Sequence, residues 1–135
     1  FLIRWVIDRW GAATTAYMGL TCAGLSFLGY AFVTEAWMVY VFLLVGAAQG
    51  FVGPAVQGVM SARVPANAQG ELQGSLASAS SLAAIIAPLL MTQLFGYFTG
   101  ASAPLYFPGV SYFLAAALVL VSTLILIPGL RRASR

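Results

Sequence analysis

The run from Trp37 to Met60 reads WMVYVFLLVGAAQGFVGPAVQGVM and contains no charged side chain. A buried β-strand rarely exceeds about ten residues, whereas a membrane-spanning helix needs about 20 mostly apolar residues. The run also lacks a strict alternation of apolar and polar side chains. Its length and pattern therefore predict a transmembrane helix rather than a strand.

Three further apolar runs flank this one and are separated from it by charged or polar joints. The four predicted spans are 12–32, 37–60, 72–96 and 108–127. Over the whole sequence 61% of residues are hydrophobic and 7% are charged, whereas a soluble domain carries about 25% charged residues. We therefore predict an all-α integral membrane fold with four transmembrane helices, surrounded by the lipid bilayer.

The composition excludes several kinds of site. The sequence has no histidine and one cysteine, Cys22, so an internal disulfide and a Cys/His metal site are both excluded. No other pattern indicates a metal, a cofactor or an enzymatic reaction. We expect Cys22 to pack as a small apolar residue.

The basic residues predict how the helices are oriented. All six are arginines, and in a four-span zigzag they fall on one side of the membrane. They are Arg4, Arg9, Arg63, Arg131, Arg132 and Arg135. Because positively charged loops stay in the cytoplasm, both termini are predicted to be cytoplasmic. Basic residues sorted in this way do not indicate a nucleic-acid surface.

The second span has an unusual pattern of glycines. On a helical wheel at about 100° per residue, Gly46, Gly50, Gly53 and Gln57 lie on one face of the span. Small residues let helix backbones approach closely in lipid, where the hydrophobic drive between helices is weak. One interpretation is therefore a helix–helix interface, to which Pro54 would belong together with Gly46 and Gly50.

A second interpretation concerns transport. An amide that faces lipid lacks a hydrogen-bond partner, so Gln49 and Gln57 should face protein or water. Pro54 frees a backbone carbonyl and can kink the helix. A kinked helix that carries amides suits the lining of a cavity. The candidate substrate-path residues are Gln49, Gly53, Gln57 and Met60.

The third and fourth spans differ in side-chain size. The third is rich in small residues, and we predict that Ser78, Ser81 and Pro88 lie in helix packing. Serine hydroxyls can bond to their own helix, so they are weak indicators of function. The fourth span is apolar nearly all round, which is typical of a peripheral helix facing lipid.

Two cytoplasmic loops carry motifs. The sequence DRWG contains Asp8, Arg9 and Gly11, and we interpret it as anchoring and turn chemistry at the start of the first span. The loop between the second and third spans contains a doubled Gln-Gly pair. These residues are Gln69, Gly70, Gln73 and Gly74. The spacing of the two pairs does not by itself indicate a chemical role.

The motifs resemble a known family. The run Pro54-Ala55-x-Gln57-Gly58-x-Met60-Ser61, followed by Gln-Gly-x-Leu-Gln-Gly from Gln69, is similar to the tenth and eleventh helices of tetracycline/proton antiporters. These antiporters belong to the drug-efflux branch of the major facilitator superfamily. DRWG resembles that superfamily's Asp-Arg-x-Gly loop motif. Where the antiporters often have Gly-x-x-Gly-Pro, this chain has Ala84, Ala87 and Pro88.

The resemblance covers the chain as helices nine to twelve of a twelve-helix transporter in a bacterial inner membrane. It implies that the full-length protein exchanges a small-molecule drug, free or as a metal chelate, for protons by alternating access. It also implies that the second span borders the cavity, that the third lies between the two halves, and that the first and fourth face lipid. Two alternatives remain: a major facilitator transporter of another small molecule, and a non-transporting four-helix membrane protein.

The sequence also suggests what lies outside this chain. It begins with Phe1 rather than methionine, so we expect a piece of a longer protein. Its three acidic residues, Asp8, Glu35 and Glu71, all fall outside the predicted spans. A proton-driven carrier needs a titratable group inside the membrane. We therefore expect the proton-carrying residue in another part of the protein.

Overall fold

A computed structural model describes the backbone of residues 2–131 and the side chains of residues 5–126 and 128. Arg132 and Arg135, and the side chains of Arg4 and Arg131, lie outside this description. The described residues form six α-helices joined by turns and by 3₁₀ segments at Ala47–Phe51 and Ala66–Ala68. The helices are α1 (Leu2–Trp10), α2 (Ala12–Ala31), α3 (Ala36–Gly46), α4 (Val52–Ser61), α5 (Gln69–Thr99) and α6 (Val110–Arg131).

The predicted spans coincide with helices. The first, third and fourth correspond to α2, α5 and α6, and the second corresponds to the continuous stretch of α3, 3₁₀ segment and α4. Helix ends differ from the predicted bounds by about one helical turn at most. Within the described residues, Ala36–Ser61 and Ala66–Thr99 are long and apolar enough to cross a membrane, and Val110–Leu126 is a shorter apolar helix.

Helix α1 is a short amphipathic helix that the sequence analysis does not assign. Its Trp5 and Trp10 side chains are exposed, as are Asp8 and Arg9 of the DRWG motif. The helix ends at Trp10, and the φ of 80° at the following Gly11 is the one positive value among the described residues. A residue with a β-carbon rarely adopts this conformation. The turn predicted at Gly11 is therefore present, and it separates α1 from α2.

Helix α2 is the centre of the described chain. It packs against α3, the first 3₁₀ segment, α4 and α6. Its buried residues are mostly small: Thr15, Ala16, Gly19, Leu20, Ala23, Ser26 and Ala31. Small side chains let the neighbouring backbones come close. The two buried hydroxyl groups, those of Thr15 and Ser26, both form hydrogen bonds to backbone carbonyls. Thr15 Oγ1 donates to the Gly11 carbonyl at 2.9 Å, and Ser26 Oγ donates to the Phe42 carbonyl at 2.7 Å.

Helix α5 is the opposite case. It is continuous over 31 residues and has no buried residue. It packs mainly along α6, to which Ser111 Oγ connects it by donating to the Met91 carbonyl at 3.0 Å. Pro88 lies inside the helix without ending it. Most of the α5 surface is therefore open to whatever surrounds the chain.

The end of the molecule opposite the Arg63 loop is closed by aromatic rings and by one close backbone approach. Tyr30 contacts both Phe42 and Tyr112, with ring centroids 6.1 and 5.4 Å apart. Gly109, just before α6, lies directly against the backbone of Ala31 at the end of α2. A β-carbon does not fit at Gly109. The close approach of the start of α6 to α2 therefore requires glycine at this position.

Candidate transport-path surface

The two faces of α4 have different surroundings. Ala55 is fully buried, and Val52 packs over Gly19 of α2. On the other face, a β-carbon added at Gly50 or Gly53 would meet no atom within 4 Å. Gln57, one helical turn beyond Gly53, is exposed as well. We call this open face, defined by Gly50, Gly53 and Gln57, the path surface.

The single glycine face predicted from the helical wheel is divided in the structure. Gly46 is buried, and a β-carbon there would lie 2.6 Å from Oγ of Ser26, whereas Gly50 and Gly53 lie on the path surface. The wheel assumed uninterrupted α-helix, but Ala47–Phe51 is 3₁₀ helix. A 3₁₀ helix turns about 120° per residue rather than about 100°. The added rotation is about 80° at Gly50 and about 100° at the end of the segment, which separates Gly46 from Gly50 and Gly53.

Pro54 accounts for the 3₁₀ segment that precedes α4. Proline lacks an amide hydrogen and clashes with the carbonyl four residues earlier, here that of Gly50. Within α4, Pro54 is the third residue, where the amide hydrogen needs no partner inside the helix. The helical break before Val52 therefore places Pro54 in a first turn instead of a helix interior.

The remaining candidate path residues flank the path surface. Gln49 is exposed on the 3₁₀ segment, and Met60 is half-buried near the end of α4. Gly58 meets no atom within 4 Å of an added β-carbon. The structure therefore brings Gly53 and Gln57 onto one face, with Gln49 and Met60 at either end of it.

Glutamines connect the end of α4 to the start of α5. Gln57 Nε2 donates to Oε1 of Gln73 at 3.0 Å. Gln69 Nε2 donates to the carbonyls of Ser61 and Val64, each at 2.8 Å, and so fixes the loop between the helices. We call these three bonds the glutamine link.

The repeated Gln-Gly pairs were the sequence pattern from which this link could have been predicted. Residues four apart lie on one face of a helix, so Gln69 and Gln73 both point from α5 toward α4 and its loop. Gly70 and Gly74 meet no atom within 4 Å of an added β-carbon. Sequence reasoning selected these glutamines but did not identify their partners, because the partners lie on another helix and on loop carbonyls.

The predicted packing residues of the third span are uncovered in this chain. Ser78, Ser81 and Pro88 are exposed in the described part of the chain. Gly50 of the first 3₁₀ segment and Pro54 of α4 are exposed too. A packing role for these five residues stays a prediction, and it requires a partner outside the described residues.

Sequence reasoning overlooked the small-residue face of α2. Ala16, Gly19, Ala23 and Ser26 are three or four residues apart and face the α3–α4 stretch. This spacing was a readable signal, because positions i, i+3, i+4 and i+7 share one helix face. The five-residue spacing of Gly19, Gly24 and Gly29 instead puts these glycines against different neighbours: Val52, Val119 and Phe42.

The path surface offers hydrogen bonds and little else. An amide donates and accepts hydrogen bonds but does not titrate. Glu35 and Glu71, the acids nearest to the helix starts of α3 and α5, are exposed. Among the described residues no group of His, Cys, Asp or Glu could hold a metal ion. Chemically, Gln57 supplies this surface with hydrogen-bond donors and an acceptor.

Comparison with known proteins places this sequence in a family. The family profile described as Major Facilitator Superfamily matches residues 1–133, which is nearly the whole chain. The chain belongs to the major facilitator superfamily. The family consists of transporters, so its members are carriers rather than enzymes.

Three curated relatives narrow the comparison within the major facilitator superfamily. Tetracycline resistance protein class G of Vibrio anguillarum is 40% identical over 70% of this chain and 24% of its own length. The class B protein of Escherichia coli is 33% identical over 72% of the chain and 24% of its length. The class C protein of Escherichia coli is 35% identical over 92% of the chain and 29% of its length.

The chain therefore spans roughly a quarter of the length of these relatives. No solved structure gave a significant match. The superfamily assignment rests on the profile, and the relation to tetracycline resistance proteins rests on the curated sequences.

Proposed function

We propose that the chain is the C-terminal third, helices nine to twelve, of a twelve-helix transporter that exports a tetracycline-type drug in exchange for protons. The observation that carries this proposal is the sequence match to tetracycline resistance proteins, which for the class C protein is 35% identical over 92% of this chain. The open amide-bearing face of α4 supports it, because a membrane-spanning helix carries an amide only where protein, water or substrate can form hydrogen bonds with it.

In this proposal α4 borders the substrate path. The backbone can approach a bound molecule closely at Gly50 and Gly53, because neither carries a side chain. Gln57 supplies a polar contact beside them, with Gln49 and Met60 at the ends of the surface. Helix α5 lies between the two halves of the transporter, where its exposed small residues meet helices from outside this chain. The drug enters free or as a metal chelate.

The transport test uses the full-length protein in inverted membrane vesicles. Gln57→Ala should raise the KM for tetracycline uptake by about two- to tenfold, the effect of losing one hydrogen bond. The matched control is Thr21→Val, because the exposed Thr21 hydroxyl donates to its own helix at the Tyr17 carbonyl, 2.8 Å away. Normal uptake by Gln57→Ala would remove Gln57 from the path. Absence of tetracycline uptake by the unaltered protein would refute the proposed substrate.

The same vesicles test the proton-carrying role. Glu35 occupies the N-cap position of α3 and is exposed. We expect Glu35→Gln to retain uptake driven by a proton gradient, because the proton-carrying residue is proposed to lie outside this chain. Loss of gradient-driven uptake with intact drug binding would place that role on Glu35 instead.

The proposed location is the bacterial inner membrane, with both ends of the chain in the cytoplasm. Ala66 lies in the α4–α5 loop beside Arg63, and Ser102 lies in the loop before α6. In a full-length protein with Cys22→Ser, a membrane-impermeant thiol reagent should label Ser102→Cys from outside intact cells and should not label Ala66→Cys. Labelling of Ala66→Cys from outside would reverse the orientation.

A further inference from the structure

The glutamine link has a geometry that the transport proposal does not use. Gln57 is the polar group of the path surface, and its Nε2 is held by Oε1 of Gln73 at 3.0 Å. Gln73 is exposed on α5 and belongs to a different helix from every residue of the path surface. A glutamine side chain has three rotatable bonds, so an unheld amide at Gln57 would sample many directions.

A second set of bonds keeps Gln73 in place. One turn earlier on the same helix face, Gln69 Nε2 donates to two carbonyls at once, those of Ser61 and Val64. These carbonyls belong to the last turn of α4 and to the loop that follows it. The start of α5 is therefore fixed to the end of α4 at the point from which Gln73 reaches Gln57.

We infer that Gln73 is a positioning residue for drug recognition: it orients the Gln57 amide toward the path, and Gln69 sets the distance between the two helices. This inference rests on the proposed function, since it assumes that Gln57 contacts the transported drug. Each amide in the pair keeps groups that their mutual bond does not use. Gln57 can therefore bind a polar molecule while Gln73 holds it.

A cycle of variants in the full-length protein tests the inference. Gln73→Ala should raise the KM for tetracycline about two- to tenfold and leave kcat unchanged. Gln57→Ala combined with Gln73→Ala should be no worse than Gln57→Ala alone, because Gln73 acts only through Gln57. Gln73→Glu should retain the normal KM, since a carboxylate of the same length still accepts from Gln57. Gln93→Ala is the control, an exposed glutamine further along α5.

Three outcomes of the cycle contradict the inference. Effects on KM that multiply in the double variant would show that Gln73 acts independently of Gln57. A KM for Gln73→Glu as high as that of Gln73→Ala would show that the accepting oxygen is not what matters. A fall in kcat alone would point to a role in helix movement rather than in orientation.

If Gln73→Ala fails to reach the membrane, a cross-linking measurement tests instead whether residues 57 and 73 are in contact. With Cys22→Ser, the pair Gln57→Cys and Gln73→Cys should be joined by a short bifunctional thiol reagent, and the pair Gln57→Cys and Gln93→Cys should not. Lack of cross-linking in the first pair would overturn the inference. This measurement needs no drug, so a cross-link in a protein that moves no tetracycline would refute the proposed function and leave the contact standing.

Discussion

Helices α2 and α5 are both rich in small residues, yet they occupy opposite environments. Alanine, glycine and serine on α2 are buried beneath α3, α4 and α6, whereas α5 has no buried residue along its 31 positions. Small side chains permit close helix packing in a membrane but do not by themselves produce it. The difference shows that the partners of α2 lie within this chain, whereas any helix that covers α5 would have to come from outside the described residues.

The comparison also separates two kinds of polar residue. Ser26 on α2 bonds across to the Phe42 carbonyl of another helix. Thr92 and Thr99 on α5 donate to Pro88 and Phe95, four residues back in their own helix. A hydroxyl that bonds within its helix needs no neighbour. Ser26 therefore connects α2 to its neighbour, whereas Thr92 and Thr99 leave the surface of α5 beyond the glutamine link without such a connection.

The largest effect should come from the joint between α2 and α6. In Gly109→Ala the new methyl group meets the Ala31 backbone, which cannot move aside as a flexible side chain could. We expect a loss of about 1–3 kcal/mol in stability, as in overpacked cores, and less protein in the membrane. Thermal unfolding of the full-length protein in detergent measures it.

Gly96→Ala on α5 is the matched control for that joint. An added β-carbon at Gly96 meets no atom within 4 Å, and alanine favours a helix over glycine by about 1 kcal/mol. Its melting temperature should be unchanged or slightly higher. Equal damage from both variants would mean that the close approach at Gly109 does not limit stability.

A smaller effect should distinguish the two faces of α4. A β-carbon at Gly19 would lie 2.5 Å from Cγ2 of Val52, so α2 and α4 are already in tight contact there. Val52→Leu should therefore lower the amount of protein in the membrane. Gly50→Leu should leave that amount close to normal and reduce tetracycline uptake, because Gly50 lies on the path surface. The reverse pattern, measured by immunoblot and vesicle uptake, would assign Gly50 to helix packing.

The smallest effect concerns single hydroxyl groups. Ser26→Ala removes the bond to the Phe42 carbonyl and should cost about 1 kcal/mol. Ser81→Ala on α5 removes an exposed hydroxyl and should leave the melting temperature unchanged. A larger shift for Ser81→Ala than for Ser26→Ala would show that α5 is packed tightly through Ser81 in the full-length protein.

Helix positions were accessible from the sequence, because charge and hydropathy mark where long apolar helices begin and end. The rotation of each helix about its own axis could not be predicted from the sequence. The wheel placed Gly46 with Gly50, and five residues of 3₁₀ helix undid this alignment. We attribute this change of helix type to the missing amide hydrogen and the ring of Pro54, and it leaves no periodic signal. The superfamily could also be inferred from the sequence, since the motifs around Gln57 and Gln73 are specific.

Contacts between helices were the part that sequence could not supply. Gln57 and Gln73 each carry an amide, but nothing in their spacing says that one bonds to the other. Likewise, Gln69 bonds to backbone carbonyls, which every residue possesses.

The length of the helices has a consequence for where the glutamine link lies relative to lipid. The stretch Ala36–Ser61 contains five 3₁₀ residues, so it extends about 41 Å rather than the roughly 39 Å of a pure α-helix. A bilayer has a hydrocarbon core about 30 Å thick. In the proposed placement, each end then projects by about 5–6 Å, and Gln57, four residues before the end of α4, lies where acyl chains give way to headgroups. The thickness of the surrounding membrane therefore sets how much water reaches the bond between Gln57 and Gln73.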